Sequence, residues 1–184
     1  DLRSNPGGLL MASVEIARQW LDEGVIVSSS TRDGVSDVKR ASGRALTKAP
    51  LVVLVNEGSA SASEILSGAI QDNNRGVVVG KKTFGKGLIQ SVRGLSDGSG
   101  MTVTIAKYLT PSGKDIHKQG ITPDVNANLS KAQAQRLKFE DLGTRNDPQY
   151  RVAESELAKL LRQSNAKPEV SFEGDVQLNV FSAN

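Results

Sequence analysis

The spacing of apolar residues changes several times along the chain, and each change marks an element. Leu10, Val14, Ala17 and Leu21 recur at intervals of four, three and four, the stripe of an amphipathic helix, and Gly24 supplies a usual C-terminal stop. Val25-Ile-Val27 reads as a short strand, followed by polar residues 28–48 with turn signals at Arg32-Asp-Gly34 and Ser42-Gly43. Leu51 to Val55 is an unbroken apolar run, the mark of a strand covered on both faces. Ala62, Ile65, Leu66, Ala69 and Ile70 then fall on one side of a helix, and Val77-Val-Val79 is a second buried strand. Residues 88–95 and 101–109 flank Asp97-Gly-Ser-Gly100 and predict a hairpin, with a turn at Thr110-Pro-Ser-Gly113. Residues 1–8 read as a strand end running into a Pro-Gly-Gly loop.

Beyond Pro123 the pattern becomes that of polar amphipathic helices, expected over 130–139 and 148–162. Asp147 is placed to cap the second of these, with Pro148 at its first position. The tail 164–184 is short of apolar residues and predicts no firm structure. Strands alternating with helices imply an α/β core over residues 1–125, followed by a C-terminal helical segment and tail over 126–184.

Composition narrows the chemistry more than the fold. The 184 residues suit one domain with an appendage, and no run of about 18 apolar residues spans a membrane. The net charge is only +3, and the cluster Lys81, Lys82, Lys86 is too short for a nucleic-acid footprint, so no nucleic-acid partner is expected. Cysteine is absent and His117 is the single histidine, so a Cys–His site is excluded and a Ser–His–Asp triad would have to use His117. The opening at Asp1-Leu-Arg3, without a methionine, reads as an excised fragment or processed product.

Two junctions carry candidate chemistry. Leu51 to Ile65 runs from strand through Asn56-Glu-Gly-Ser-Ala-Ser-Ala-Ser63 into a helix. A serine there is projected from the turn, and the unpaired N–H groups of a helix start can hold an oxyanion. Ser61 and Glu64 also have the spacing of a capping box, in which the serine merely caps the helix. Spacing alone does not choose among Ser59, Ser61 and Ser63. The second junction, Gly80-Lys-Lys-Thr-Phe-Gly-Lys-Gly87, sets Lys86 between glycines. A lysine there is either a solvated loop residue or a base, and a base needs burial, for which Phe84 and the adjoining strands are the candidates. The glycines of Asp1-Leu-Arg-Ser-Asn-Pro-Gly-Gly8 form either a second anion cradle or a plain turn.

These stretches, in this order, resemble the carboxyl-terminal processing proteases, also called tail-specific proteases. The resemblance rests on Asp1 to Gly8, Val53 to Ile65, Val79 to Gly87 with Gln90, Tyr108 to Gly113, and Gly120-Ile-Thr-Pro-Asp-Val125. The wording of Ser67 to Asp72 and Thr104 to Leu109 looks most like the branch from photosynthetic organisms, which includes the enzyme that trims a photosystem II reaction-centre precursor. The resemblance implies a fold similar to Clp-type proteases and crotonases, with stacked strand–strand–helix units. It implies Ser61 as nucleophile, Lys86 as general base, Gln90 as the residue orienting that lysine, and Gly7 and Ala62 as oxyanion donors. Asp72 and Thr83 fall on positions of secondary importance, and His117, in Asp115-Ile-His-Lys118, reads as a surface residue.

The resemblance further implies no metal or cofactor, protein or peptide substrates with a free C-terminus, an extracytoplasmic setting such as a periplasm or thylakoid lumen, and scope for oligomerisation. Family members also carry an N-terminal helical segment and a PDZ domain, which this opening leaves no room for. The alternative is a non-catalytic peptide- or ligand-binding module of the same fold.

Overall fold

The computed structural model describes residues 1–164. The elements are α1 (Leu10–Trp20), β1 (Val25–Thr31), β2 (Gly34–Arg40), β3 (Val52–Val55), α2 (Ala62–Asp72), β4 (Val77–Gly80), β5 (Leu88–Gly94), β6 (Gly100–Leu109), β7 (Val125–Asn126), α3 (Lys131–Arg136) and α4 (Pro148–Gln163). They form an antiparallel sheet in the order β2-β1-β6-β5 and a parallel sheet in the order β3-β4-β7.

The parallel sheet is covered on both faces, as its continuous apolar runs require. Along β3, Val53 and Val55 face a core shared with Val14 and Ala17 of α1, Ile65, Ala69 and Ile70 of α2, and Ile26 of β1. Leu54 and Val79 face the other way and pack with Ala127 and with Ala153 of α4. Alternation along one short strand therefore serves two cores. The expected hairpin forms as β5–β6, and Gly94 pairs with Gly100 at its end.

Four segments differ from the expected pattern. Within the polar stretch 28–48, β1 continues to Thr31 and β2 is added, its side chains almost all exposed and so without apolar alternation. Val125–Asn126 pairs with β4 as a third parallel strand too short to leave a periodic signal. The helix expected over 130–139 is trimmed to α3, where Ser130 caps it and a 3₁₀ turn at Phe139–Asp141 follows. Residues 1–8 are a loop rather than a strand end, tied to β3 by the bond from Leu2 N to Leu54 O. The tail from residue 165 onward lies outside the described residues.

Gly80 closes β4 with φ +135°, and a Cβ there would stand 2.0 Å from the Val55 carbonyl oxygen. Gly80→Ala is expected to cost about 2–3 kcal/mol and to lower the melting temperature by roughly 4–12 °C in thermal denaturation.

Candidate active site

A buried acid organises the junction after β3. Glu64, in the first turn of α2, is fully buried, and both carboxylate oxygens act as acceptors. Oε1 accepts from Thr83 Oγ1 at 2.5 Å and Gly85 N at 2.7 Å; Oε2 accepts from Ser61 N at 2.9 Å and Lys86 N at 2.8 Å. Four donors compensate the charge, and no cation is paired with it among the described residues. The Ser61 and Lys86 nitrogens therefore lie within about 5.7 Å of each other, the limit set by the 2.9 and 2.8 Å bonds to one oxygen.

Ser61 is not an ordinary helix cap. Its φ of 57° and ψ of −117° lie outside the β region that N-caps adopt, and its side chain makes no capping bond. Only the glutamate half of the capping box is used, through the Ser61 N–H. The strained backbone projects a partly exposed hydroxyl from the turn. Ser59 is buried with its hydroxyl spent, donating to Leu2 O at 2.6 Å and accepting from Asn56 N at 3.0 Å. Ser63 is buried inside α2. Of the three serines left open by spacing, Ser61 alone is presented to solvent.

The glycine cradle lies against this turn. A Cβ on Gly7 would sit 2.5 Å from Ala60 O, 2.7 Å from Ala62 N and 3.0 Å from Ser61 Cβ, and Gly7 has φ +90°. Gly7 and Ala62, the expected oxyanion donors, are therefore neighbours. The Ala62 N–H has no acceptor among the described residues. The Gly7 N–H is not free: it donates to Asn5 Oδ1 at 2.9 Å.

Of the two alternatives open for Lys86, the structure shows the solvated one: Lys86 is exposed, and Phe84 is 67% exposed. The loop packs by its backbone instead: a Cβ on Gly85 would lie 3.0 Å from Lys118 Cα, and one on Gly87 would lie 2.5 Å from His117 N. That leaves the Phe84 ring outside. No hydrogen bond joins the Lys86 side chain to Ser61 or to Gln90 among the described residues. Gln90 is exposed within β5, opposite Thr104 and two positions into a strand that begins at Leu88, after Lys86. His117 is half-buried rather than on the surface, and its Nδ1 is buried without a hydrogen-bond partner among the described residues.

Thr83 is a brace, donating to Glu64 while accepting from Ile121 N at 2.7 Å. Asp72 sits at the far end of α2, roughly 16 Å along the helix from Ser61. It accepts from Ser112 N at 2.9 Å and lies 3.7 Å from Lys114 Nζ. Burial alone would raise its carboxyl, but bonds from Thr110 and Ser112 and the Lys114 charge outweigh it and hold the pKa below the ordinary value. Asp72 thus secures the 110–114 turn rather than the serine.

Two functional groups escaped the sequence reading. Glu64 was visible only as a cap, although its spacing from Ser61 was the available signal. Asn56 was not singled out: its Oδ1 accepts from Ser4 N at 2.7 Å and Gly58 N at 3.0 Å, joining the cradle to the serine turn.

Comparison with known proteins gives the following likenesses. A family model described as peptidase family S41 matches residues 1–127. A carboxyl-terminal-processing protease of Synechocystis is 54% identical over 153 residues, covering 83% of this chain and 35% of that protein. Carboxyl-terminal-processing peptidase 3, chloroplastic, of Arabidopsis thaliana is 56% identical over 127 residues, covering 68% and 24%. The solved structure of a photosystem II D1 C-terminal processing protease superposes with TM-score 0.69 at 47% identity, over 86% of this chain and 39% of that one. Tricorn protease shares the fold, with TM-score 0.51 at 20% identity. The chain spans about a third of the length of the Synechocystis relative.

Glu64→Gln keeps the shape but turns one acceptor into a donor facing N–H groups. It is expected to cost about 3 kcal/mol, read as a melting temperature lower by roughly 6–12 °C.

Stability should also respond to acid through Asp147, which is fully buried. Burial alone would raise its carboxyl, but hydrogen bonds from Arg3 and Gly143 N, with the Arg3 charge, hold it below the ordinary value. A folded pKa below the unfolded one means the unfolded chain binds more protons. The contribution is therefore complete above about pH 4 and lost as pH falls below that. Melting temperature measured against pH should fall below about pH 4, and less steeply in Asp147→Asn.

Proposed function

The chain belongs to peptidase family S41, and on that premise we propose that it carries the serine–lysine centre of an endopeptidase that cuts near protein C-termini. The supporting observation is the shared Glu64 oxygen, which holds the Ser61 and Lys86 backbones side by side although 25 residues separate them.

In this reading Ser61 Oγ attacks the scissile carbonyl carbon and Lys86 Nζ takes the hydroxyl proton. The oxyanion is held by the Ala62 N–H at the start of α2 and by the Gly7 N–H once Asn5 releases it. Collapse of the tetrahedral intermediate returns the proton from Lys86 to the leaving amine. Water then attacks the acyl-serine ester with Lys86 again as base. Thr83 acts through Glu64, and Glu64 fixes the lysine loop through its backbone, the place where Gln90 had been expected to act. Catalysis requires the Lys86 side chain to leave solvent and turn onto Ser61.

The Synechocystis and chloroplast relatives and the D1-processing structure support a finer proposal. The substrate is a photosystem II reaction-centre precursor, processed in a thylakoid lumen or periplasm, with its free carboxyl end read by a PDZ domain outside these residues. The exposed Lys86 favours one competing reading, a non-catalytic binding module.

Ser61→Ala and Lys86→Ala in the full-length protein should each abolish cleavage of a peptide with a free carboxyl end, the double variant being little worse than either. Lys86→Arg should fail too, because guanidinium stays protonated. A serine-directed fluorophosphonate should label Ser61; an unlabelled protein that still binds the peptide would establish the binding-module reading.

The pH profile separates the bases. A lysine base works only unprotonated, so kcat/KM should fall as pH drops, and the same acid limb should persist in His117→Ala. Loss of that limb in the histidine variant would instead identify His117 as the base.

A further inference from the structure

The cradle that lies against Ser61 is itself held from outside the family-matched region. Segment 1–8 is tied to the serine turn on one side: Ser4 N donates to Asn56 Oδ1, Ala60 N donates to Asn5 O at 3.0 Å, and Ser59 Oγ donates to Leu2 O. On the other side the Arg3 side chain, 6% exposed, reaches the start of α4. Its Nη2 lies 2.6 Å from Asp147 Oδ2, and its Nη1 donates to Gln149 Oε1 at 3.0 Å. Asp1 accepts from Nε and Nη2 on the exposed side.

Asp147 divides its work between its two oxygens. Oδ1 caps α4, accepting from Gln149 N at 2.9 Å and Tyr150 N at 3.3 Å. Oδ2 faces Arg3 and Gly143 N. The anchor is rigid, because α4 packs Ala153 onto the parallel sheet and Gln149 Nε2 donates to Ala127 O at 2.7 Å. A buried charge pair is weak evidence for stability but strong geometric constraint.

We infer that Asp147 is a positioning residue for the proteolytic reaction: through Arg3 it makes α4 the strut that sets the Gly7 cradle against Ala62. It touches no reacting atom. This rests on the proposed assignment of Ser61, Gly7 and Ala62. An oxyanion donor displaced by about an ångström loses rate while ground-state binding, made elsewhere, is retained.

Asp147→Asn isolates the strut from the cap. Asparagine caps helices as well as aspartate does, so Oδ1 is preserved, while an amide donor replaces the acceptor facing Arg3. In the full-length protein, kcat is expected to fall roughly 10–100-fold with KM within about threefold. The folded fraction at the assay temperature, read by thermal melting, normalises both values. Arg3→Gln/Asp147→Asn, which sets two neutral amides face to face, should recover part of the lost kcat. A normalised kcat unchanged in Asp147→Asn, or a double variant no better than the single one, overturns the strut. Ser61→Ala run alongside separates the two levels: if it still turns over, the site assignment fails and takes the strut with it. If it is dead while Asp147→Asn is normal, only the strut fails.

Discussion

One buried carboxylate sets the geometry around which the rest is arranged. Glu64 is fully buried, and both of its oxygens accept, two bonds each, from Ser61, Thr83, Gly85 and Lys86. A charge in that position is tolerable only while every donor stays in place, because burying an ion without partners costs far more than a turn can supply. The strained Ser61 backbone and the glycine-rich lysine loop are the two structures that deliver those donors. Each is explained by the other: the loop closes on the acid, and the acid holds the serine out of an ordinary cap.

The surrounding fold supplies fixed walls for this clamp. β3 and β4 run parallel, with one core under α1 and α2 and another under α4, so the turn after β3 and the loop after β4 leave the same end of one rigid sheet. Residues 116–120 back the lysine loop, with Lys118 N donating to Gly85 O at 2.8 Å. Polar links complete the frame where apolar packing is thin, from Asn56 to the cradle and from the cradle through Arg3 to α4.

Much of this was legible in the residues, for reasons that also explain what was not. Leu51 to Val55 announced a doubly covered strand because its burial is written into every position. The β5–β6 hairpin was announced by its Asp97-Gly-Ser-Gly100 turn. β2 was missed because an exposed strand need not alternate. The serine turn and glycine cradle were visible as local motifs, and family resemblance ordered their roles. What local pattern hid were the long-range bonds: Glu64 to the lysine loop across about 20 residues, and Arg3 to Asp147 across nearly the whole described chain. Whether Lys86 is solvated or buried against Phe84 was open in the residues, because it depends on the glycines on either side, which pack backbone against backbone and turn both side chains outward.

Native-state amide hydrogen exchange at Ser61, Gly85 and Lys86 tests the clamp most directly. If one carboxylate holds all three N–H groups, they open as a unit, with the same opening free energy, and Glu64→Gln accelerates all three together. A protected Ser61 amide alongside freely exchanging Gly85 and Lys86 amides would contradict the account, because the serine turn and the lysine loop would then be held independently.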